Sequence, residues 1–213
     1  MKLRYAALVL VLALAGCASS SGGHLHPSTP KASGLNDQTG SGQYAGVGLI
    51  PPRPRPQFTL TDTAGRTYQF AQRTQGKPTL LFFGYTRCPD ICPATMADVA
   101  VALRSLPVAT QQQVTVAFVT TDVKHDTGPV LKTWLSHFTP GTHATFVGLR
   151  GTQAQIDAAQ AAAHITIAED GGQTHSTQVL LYSPDDYAHV SFVYNNENEQ
   201  KQMAHDLSVV VNG

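Results

Sequence analysis

Cys88 and Cys92 are separated by three residues in Gly84-Tyr85-Thr86-Arg87-Cys88-Pro89-Asp90-Ile91-Cys92-Pro93. On a helical turn this spacing puts the two Cα atoms about 6 Å apart, within disulfide range. The pair can therefore close a disulfide or, when reduced, chelate a metal. The thiolate is both the nucleophile and the ligand, and a helix N-terminus favours thiolate over thiol. Pro93 suits a first helical turn, which puts Cys92 at the start of a helix. A disulfide that only braces the loop is the plainer alternative, but so short a loop gains little from closure entropy.

Two thiolates alone suit a redox pair or two-coordinate Cu(I), so a third ligand would sharpen the choice. His175, in Gly171-Gly172-Gln173-Thr174-His175-Ser176, stands in a glycine-rich loop that leads into a strand. The other histidines are weaker candidates. His125 and His137 flank an expected helix and His164 ends one. His143, His189 and His205 read as surface positions, and His24 and His26 as solvated residues of a tail. Soft thiolates with one imidazole select copper, zinc or iron–sulfur chemistry, and a Cys₂His set leaves a coordination position open for exchange.

The elements that must hold these residues are legible in the hydrophobic pattern. Thr79 to Gly84 is a continuous apolar run, as expected of a strand buried on both faces, and the cysteine loop follows it directly. Met96, Val99, Ala100, Leu103 and Leu106 form a helical stripe over 93–106. A strand at 114–119, a helix at 130–138 entered through Asp126-Thr127-Gly128-Pro129, a strand at 144–149 and a helix at 152–163 continue the alternation. Residues 58–60 and 68–70 form a hairpin around Asp62-Thr63-Ala64-Gly65. A second hairpin pairs 178–182 with 190–194, and a last helix covers about 198–210. Hairpin, βαβαβα, hairpin and helix make an α/β domain with a central sheet covered on both faces, the thioredoxin-like pattern with added β-hairpins. Chemistry at the carboxyl end of a buried strand is the usual arrangement in such sheets.

Residues 1–16 read as an export leader: Lys2 and Arg4, then the apolar run Tyr5 to Ala15, too short to span a bilayer. Leu14-Ala15-Gly16-Cys17 resembles the bacterial lipobox, which implies lipidation of Cys17 and attachment to a membrane outside the cytoplasm. Residues 17–57, rich in Ser, Gly and Pro, read as a spacer, leaving 58–213 as the single folded domain. The whole chain balances 14 basic against 14 acidic residues; removing Lys2 and Arg4 leaves 12 against 14. No basic run exists, which excludes a nucleic-acid binder. Three cysteines are too few for a disulfide-stapled miniprotein or a four-thiolate zinc site.

Four blocks, in order, resemble the SCO/SenC family of thioredoxin-like copper proteins over about Phe58 to Leu207. Gly84 to Pro93 is similar to the family's GYT-x-CPD-x-CP signature. Thr121-Asp122-Val123-Lys124-His125-Asp126-Thr127 resembles its VDPERDTP segment, and Gly151 to Ile156 its GTPEQI helix start. Thr174-His175-Ser176-Thr177, followed by Leu181 to Asp185, resembles its DHS strand and LIDPDG turn. The resemblance implies a copper site made by Cys88, Cys92 and His175. It also implies delivery of copper to the binuclear CuA centre of cytochrome c oxidase, or reduction of that centre's cysteines. An upstream copper donor and a thiol reductant are then the other partners. Two departures stand out: Val123 replaces the family proline after Asp122, and Thr174 replaces the acid before His175. Asp122 either orients the site and supplies an oxygen donor for Cu(II) or makes a loop hydrogen bond. A thiol–disulfide oxidoreductase, which gives His175 no obligatory task, and a copper or redox sensor, which requires a partner bound in only one redox state, are the competing functions.

Overall fold

The computed structural model describes residues 42–194 and 198–212. The expected leader, the lipidation residue Cys17, the tail histidines His24 and His26, and the spacer up to residue 41 lie outside the described residues. Among the described residues no helix is long and apolar enough to cross a membrane.

In chain order the elements are β1 (Val47–Pro54), β2 (Thr59–Asp62), β3 (Thr67–Gln69), α1 (Phe70–Thr74), β4 (Thr79–Gly84) and α2 (Ile91–Arg104). Then come α3 (Val108–Gln111), β5 (Thr115–Thr120), α4 (Gly128–Ser136), β6 (Thr145–Arg150) and α5 (Gln153–Ala162). A 3-10 turn at Asp170–Gly172 precedes β7 (Gln178–Tyr182), β8 (Tyr187–Val193) and α6 (Glu199–Asn212). One eight-stranded sheet runs β1-β8-β7-β4-β5-β6-β2-β3. β4, β5 and β6 are parallel, and the hairpins extend this core antiparallel on both sides. The fold is α/β and thioredoxin-like, with added hairpins.

All six residues of β4 are buried because successive side chains enter different layers. Leu80 and Phe82 join Met96, Val99 and Leu103 of α2, Leu131 of α4 and Met203 and Leu207 of α6. Leu81 and Phe83 join Phe70 of α1 and Ile156 and Ala159 of α5. The sheet is thus covered on both faces, as the strand–helix alternation requires. α5 begins on a capping box: Thr152 Oγ1 accepts from Gln155 N–H while the Gln155 side chain accepts from Thr152 N–H. Such a box stabilises a helix by about 1 kcal/mol.

Strand structure is present ahead of the expected boundary at Phe58. Val47–Pro54, read from its prolines as part of the spacer, is a strand at the sheet edge. It pairs with β8 at Val47, Gly48, Arg53 and Pro54, with a register shift across the Pro51-Pro52 segment. Proline donates no hydrogen bond, so an edge strand interrupted by a bulge is where a sheet tolerates it. Arg55, expected in the same spacer, is 7% exposed. Its guanidinium donates to Asp186 Oδ1 at 2.7 Å, Thr74 Oγ1, and the carbonyls of Lys77 and Ser183. Ahead of β1, Ala45 and Gly46 donate their backbone N–H groups to the fully buried Asp206 carboxylate of α6.

Candidate metal centre

β4 ends at Gly84 and the chain turns through Tyr85–Cys88, closed by Cys88 N–H donating to the Tyr85 carbonyl at 3.3 Å. α2 starts at Ile91, so Cys92 and Pro93 both lie in its first turn, where proline's missing N–H removes no helical bond. Cys92 N–H, one of the unpaired donors of that turn, points at Cys88 Sγ at 3.4 Å. Gly84 makes room for the second sulfur: a Cβ there would lie 2.8 Å from Cys92 Sγ.

His175 arrives on the loop that leads into β7, the antiparallel neighbour of β4. Its loop folds on Gly171 (φ 69°) and Gly172 (φ 95°), both left-handed, with Glu169 and Thr174 bridged. Gly172 lies so close to the end of β5 that a Cβ would meet the Thr121 carbonyl oxygen at 2.0 Å. Thr121 ties the two halves of the site together. Its N–H donates to the Gly84 carbonyl at 2.8 Å, and its hydroxyl reaches the Gly172 carbonyl at 2.6 Å. The imidazole rests edge-on against Tyr85, with ring centroids 5.5 Å apart, and Phe82.

The three expected ligands converge: Cys88 Sγ, Cys92 Sγ and a His175 ring nitrogen lie within 4.8 Å of one another. His175 Nδ1 is 2.8 Å from the Ser176 carbonyl oxygen, which can only accept, so Nδ1 carries the proton. That leaves the Nε2 lone pair facing Cys92 Sγ at 3.4 Å. Burial lowers the His175 pKa, which keeps the ring neutral and able to ligate. The two thiols differ. Burial raises the Cys88 pKa, but hydrogen bonds from the N–H groups of Cys92, Asp90 and Ile91 outweigh it and bring the thiol below its ordinary value. Cys92 is fully buried, and burial pushes its thiol well up. This soft, compact Cys₂His set fits copper.

Asp122 is nearby but is not among the grouped donors. Its buried carboxylate is engaged by Arg87 Nη2 at 3.0 Å and His125 Nδ1 at 2.8 Å. Burial alone would raise its pKa, yet the His125 and Arg87 bonds bring it below the ordinary carboxylate range. Asp122 thus bonds to Arg87 of the cysteine loop. None of His137, His143, His164, His189 and His205 joins a group of three ligating side chains. Among the described residues Cys88, Cys92 and His175 are the one such group. Sequence reasoning missed Thr121 as a tie and Asp126 as a buried clamp: both lie inside the VDPERDTP-like block, whose residues carry no outward sign of burial.

The profile described as SCO1/SenC matches residues 51–212. The chain belongs to the SCO1/SenC family. Protein SenC of Rhodobacter capsulatus is 37% identical over 133 residues, covering 60% of this chain and 58% of SenC. Yeast Sco1 with copper bound superposes with a TM-score of 0.64 at 25% identity, over 76% of this SCO1/SenC chain and 90% of that one. Bradyrhizobium japonicum ScoI with copper bound gives a TM-score of 0.59 at 30% identity, over 74% and 99% respectively. The SCO1/SenC fold thus accounts for the arrangement: a thioredoxin-like sheet carries the cysteine loop at the carboxyl end of β4, and the histidine loop packs beside it.

Proposed function

We propose that this SCO1/SenC protein is a copper chaperone that works outside the cytoplasm, lipid-anchored through Cys17, and serves the CuA centre of cytochrome c oxidase. The observation that carries the reading is the three-donor cluster, with both sulfurs and a His175 ring nitrogen within 4.8 Å of one another and Nε2 3.4 Å from Cys92 Sγ. Cys88, Cys92 and His175 hold the ion. The two sulfurs suit Cu(I), and the imidazole raises the affinity for Cu(II), for which water is the added oxygen donor. Asp122 tunes the site through Arg87 rather than by ligation.

The unequal burial of the sulfurs gives the exchange an order. Cys88 is half-buried and Cys92 fully buried. An incoming partner thiolate therefore replaces Cys88 first, while Cys92 and His175 still hold the cargo. The partner's second ligand then displaces Cys92.

The same asymmetry favours a second reading, a dithiol reductant. Cys88 thiolate would attack a partner disulfide, forming a mixed disulfide and expelling one partner thiolate. Cys92, losing its proton, would attack Cys88 Sγ, close the Cys88–Cys92 disulfide and release the second partner thiol. Two electrons pass to the partner, and a reductant must restore the pair. Incubating the copper-loaded protein with a reduced, metal-free CuA domain separates the two. Chaperoning predicts appearance of the CuA absorption spectrum in the acceptor. If the acceptor gains no copper, yet an oxidised acceptor is reduced by the metal-free protein, the reductant reading stands instead.

A further inference from the structure

We infer that Asp126 positions Cys88 in the metal loop, acting through Thr86. The inference rests on the copper reading of the site and deepens it.

Asp126 is fully buried. Its carboxylate accepts three hydrogen bonds: from Thr86 N–H at 2.9 Å, Thr86 Oγ1 at 2.6 Å and Thr120 Oγ1 at 2.5 Å. An ionised carboxylate out of water needs such donors, and bonds to a charged acceptor are about twice as strong as neutral ones. Thr86 is the second residue of the Tyr85–Cys88 turn. Gripped by both its N–H and its hydroxyl, Thr86 has its backbone and its rotamer fixed together, two residues before the first sulfur.

The clamp is anchored on its own side. Asp126 N–H donates to the Asp122 carbonyl at 3.0 Å, and Arg150 Nε donates to the Asp126 carbonyl at 3.2 Å. Asp126 is free for this task because Thr127 of the same string caps α4, accepting from Val130 N–H.

Cys88 is the donor that needs this clamp. Cys92 is held in α2, and His175 by the Thr121–Gly172 tie. Cys88 lies ahead of the helix, held by the turn, the N–H groups of Cys92, Asp90 and Ile91, and the neighbouring Arg87–Asp122 pair, whose Arg87 side chain is 54% exposed. With its guanidinium half in water, Arg87 restrains the loop less tightly than the bonds to the fully buried Asp126 do. Releasing Thr86 should let Cys88 drift, lowering its effective concentration towards Cys92 and towards a bound ion.

The test uses Thr86→Val, which keeps the shape and removes the hydroxyl bond, Thr86→Ser, which keeps it, and Asp126→Asn, which removes the charge. The metal-free readout is the Cys88–Cys92 dithiol/disulfide equilibrium against dithiothreitol. The second readout is the thiolate-to-Cu(II) absorption and electron paramagnetic resonance spectrum, with thermal melting as the folding control. Thr86→Val and Asp126→Asn should make the disulfide easier to reduce by about tenfold, about 30 mV for two electrons, and should alter the Cu(II) spectrum. Thr86→Ser should match the parent. The inference is overturned if Thr86→Val keeps the parental equilibrium and spectrum, whatever its melting point, or if Thr86→Ser fails as Thr86→Val does. Should Asp126→Asn not fold, the Thr86 pair decides alone. A parent that binds no copper sinks the copper reading, while the thiol equilibrium still decides the role of Asp126.

Discussion

Replacing Gly84 with alanine puts a methyl group into the floor of the metal site. The added carbon would lie 2.8 Å from Cys92 Sγ and 3.2–3.3 Å from the Phe118 ring. Ordinary non-bonded contacts between heavy atoms lie at about 3.5–4.0 Å, so the sulfur must retreat by about 1 Å. The backbone cannot give instead. Gly84 pairs with Thr120 at the end of a central strand, and its carbonyl accepts from Thr121 N–H. Overpacking of this kind costs about 1–3 kcal/mol. A sulfur moved by about 1 Å no longer meets the ion together with Cys88 and His175, so copper affinity should fall by at least about tenfold, which is 1.4 kcal/mol. Gly65→Ala is the control. Gly65 has φ 81° with nothing within 4 Å, in the turn between β2 and β3. Its substitution should cost about 1 kcal/mol of stability through backbone strain and leave copper binding alone. Urea unfolding and competitive copper titration of both variants decide the matter. Gly84→Ala binding copper with the parent's affinity and spectrum would refute the claim that Gly84 seats the Cys92 sulfur.

Two further expectations concern titrating groups. In the reduced, metal-free protein, iodoacetamide should label Cys88 well before Cys92, because Cys88 is half-buried with a lowered thiol pKa while Cys92 is buried with a raised one. Peptide mass spectrometry over a time course checks this, and equal labelling rates would contradict the assigned asymmetry. Glu199, at the start of α6, is 2% exposed, and among the described residues neither of its carboxylate oxygens has a hydrogen-bond partner. Burial, with the charge of Asp98, raises its pKa from 4.5 to about 7. A raised carboxyl stabilises the fold only while protonated. Its contribution is full below about pH 4.5, is lost as pH rises to about 7 and is flat beyond, at most about 3 kcal/mol in all. Glu199→Gln should remove that slope and be the more stable protein at pH 8. Parallel stability–pH curves for the two proteins would show that the burial of Glu199 carries no such linkage.

The core of this fold was written in apolar runs. Thr79–Gly84 could be read as a strand covered on both faces because no polar residue interrupts it. The Thr152 cap was legible because it is local chemistry. β1 was not, since Pro51, Pro52 and Pro54 describe an extended chain equally well in a solvated spacer or on a sheet edge. Only the partners, β8 and the Asp186 waiting for Arg55, distinguish the two. The cysteine pair declares itself by spacing, whereas His175, one of nine histidines, is favoured by its glycine-rich loop and assigned as a ligand only through the family blocks. Its packing against Tyr85 and Phe82 is a long-range consequence of the sheet order. Asp126 and Asp122 show the same limit. Two carboxylates four positions apart in one loop look alike in sequence, yet one grips Thr86 from full burial and the other pairs with the exposed Arg87.

The proposed site joins Cys88, Cys92 and His175 around one copper ion. Its most direct test is titration of the reduced protein with Cu(I) and Cu(II), in a Cys17→Ser background where Cys88 and Cys92 are the only thiols, beside the same protein carrying His175→Ala. The parent should bind one ion of either oxidation state. The His175→Ala protein should retain two-coordinate Cu(I) binding, lose Cu(II) affinity by at least about tenfold and change its Cu(II) spectrum. Equal affinity of parent and variant for both ions would remove His175 from the site and contradict a Cys₂His copper centre.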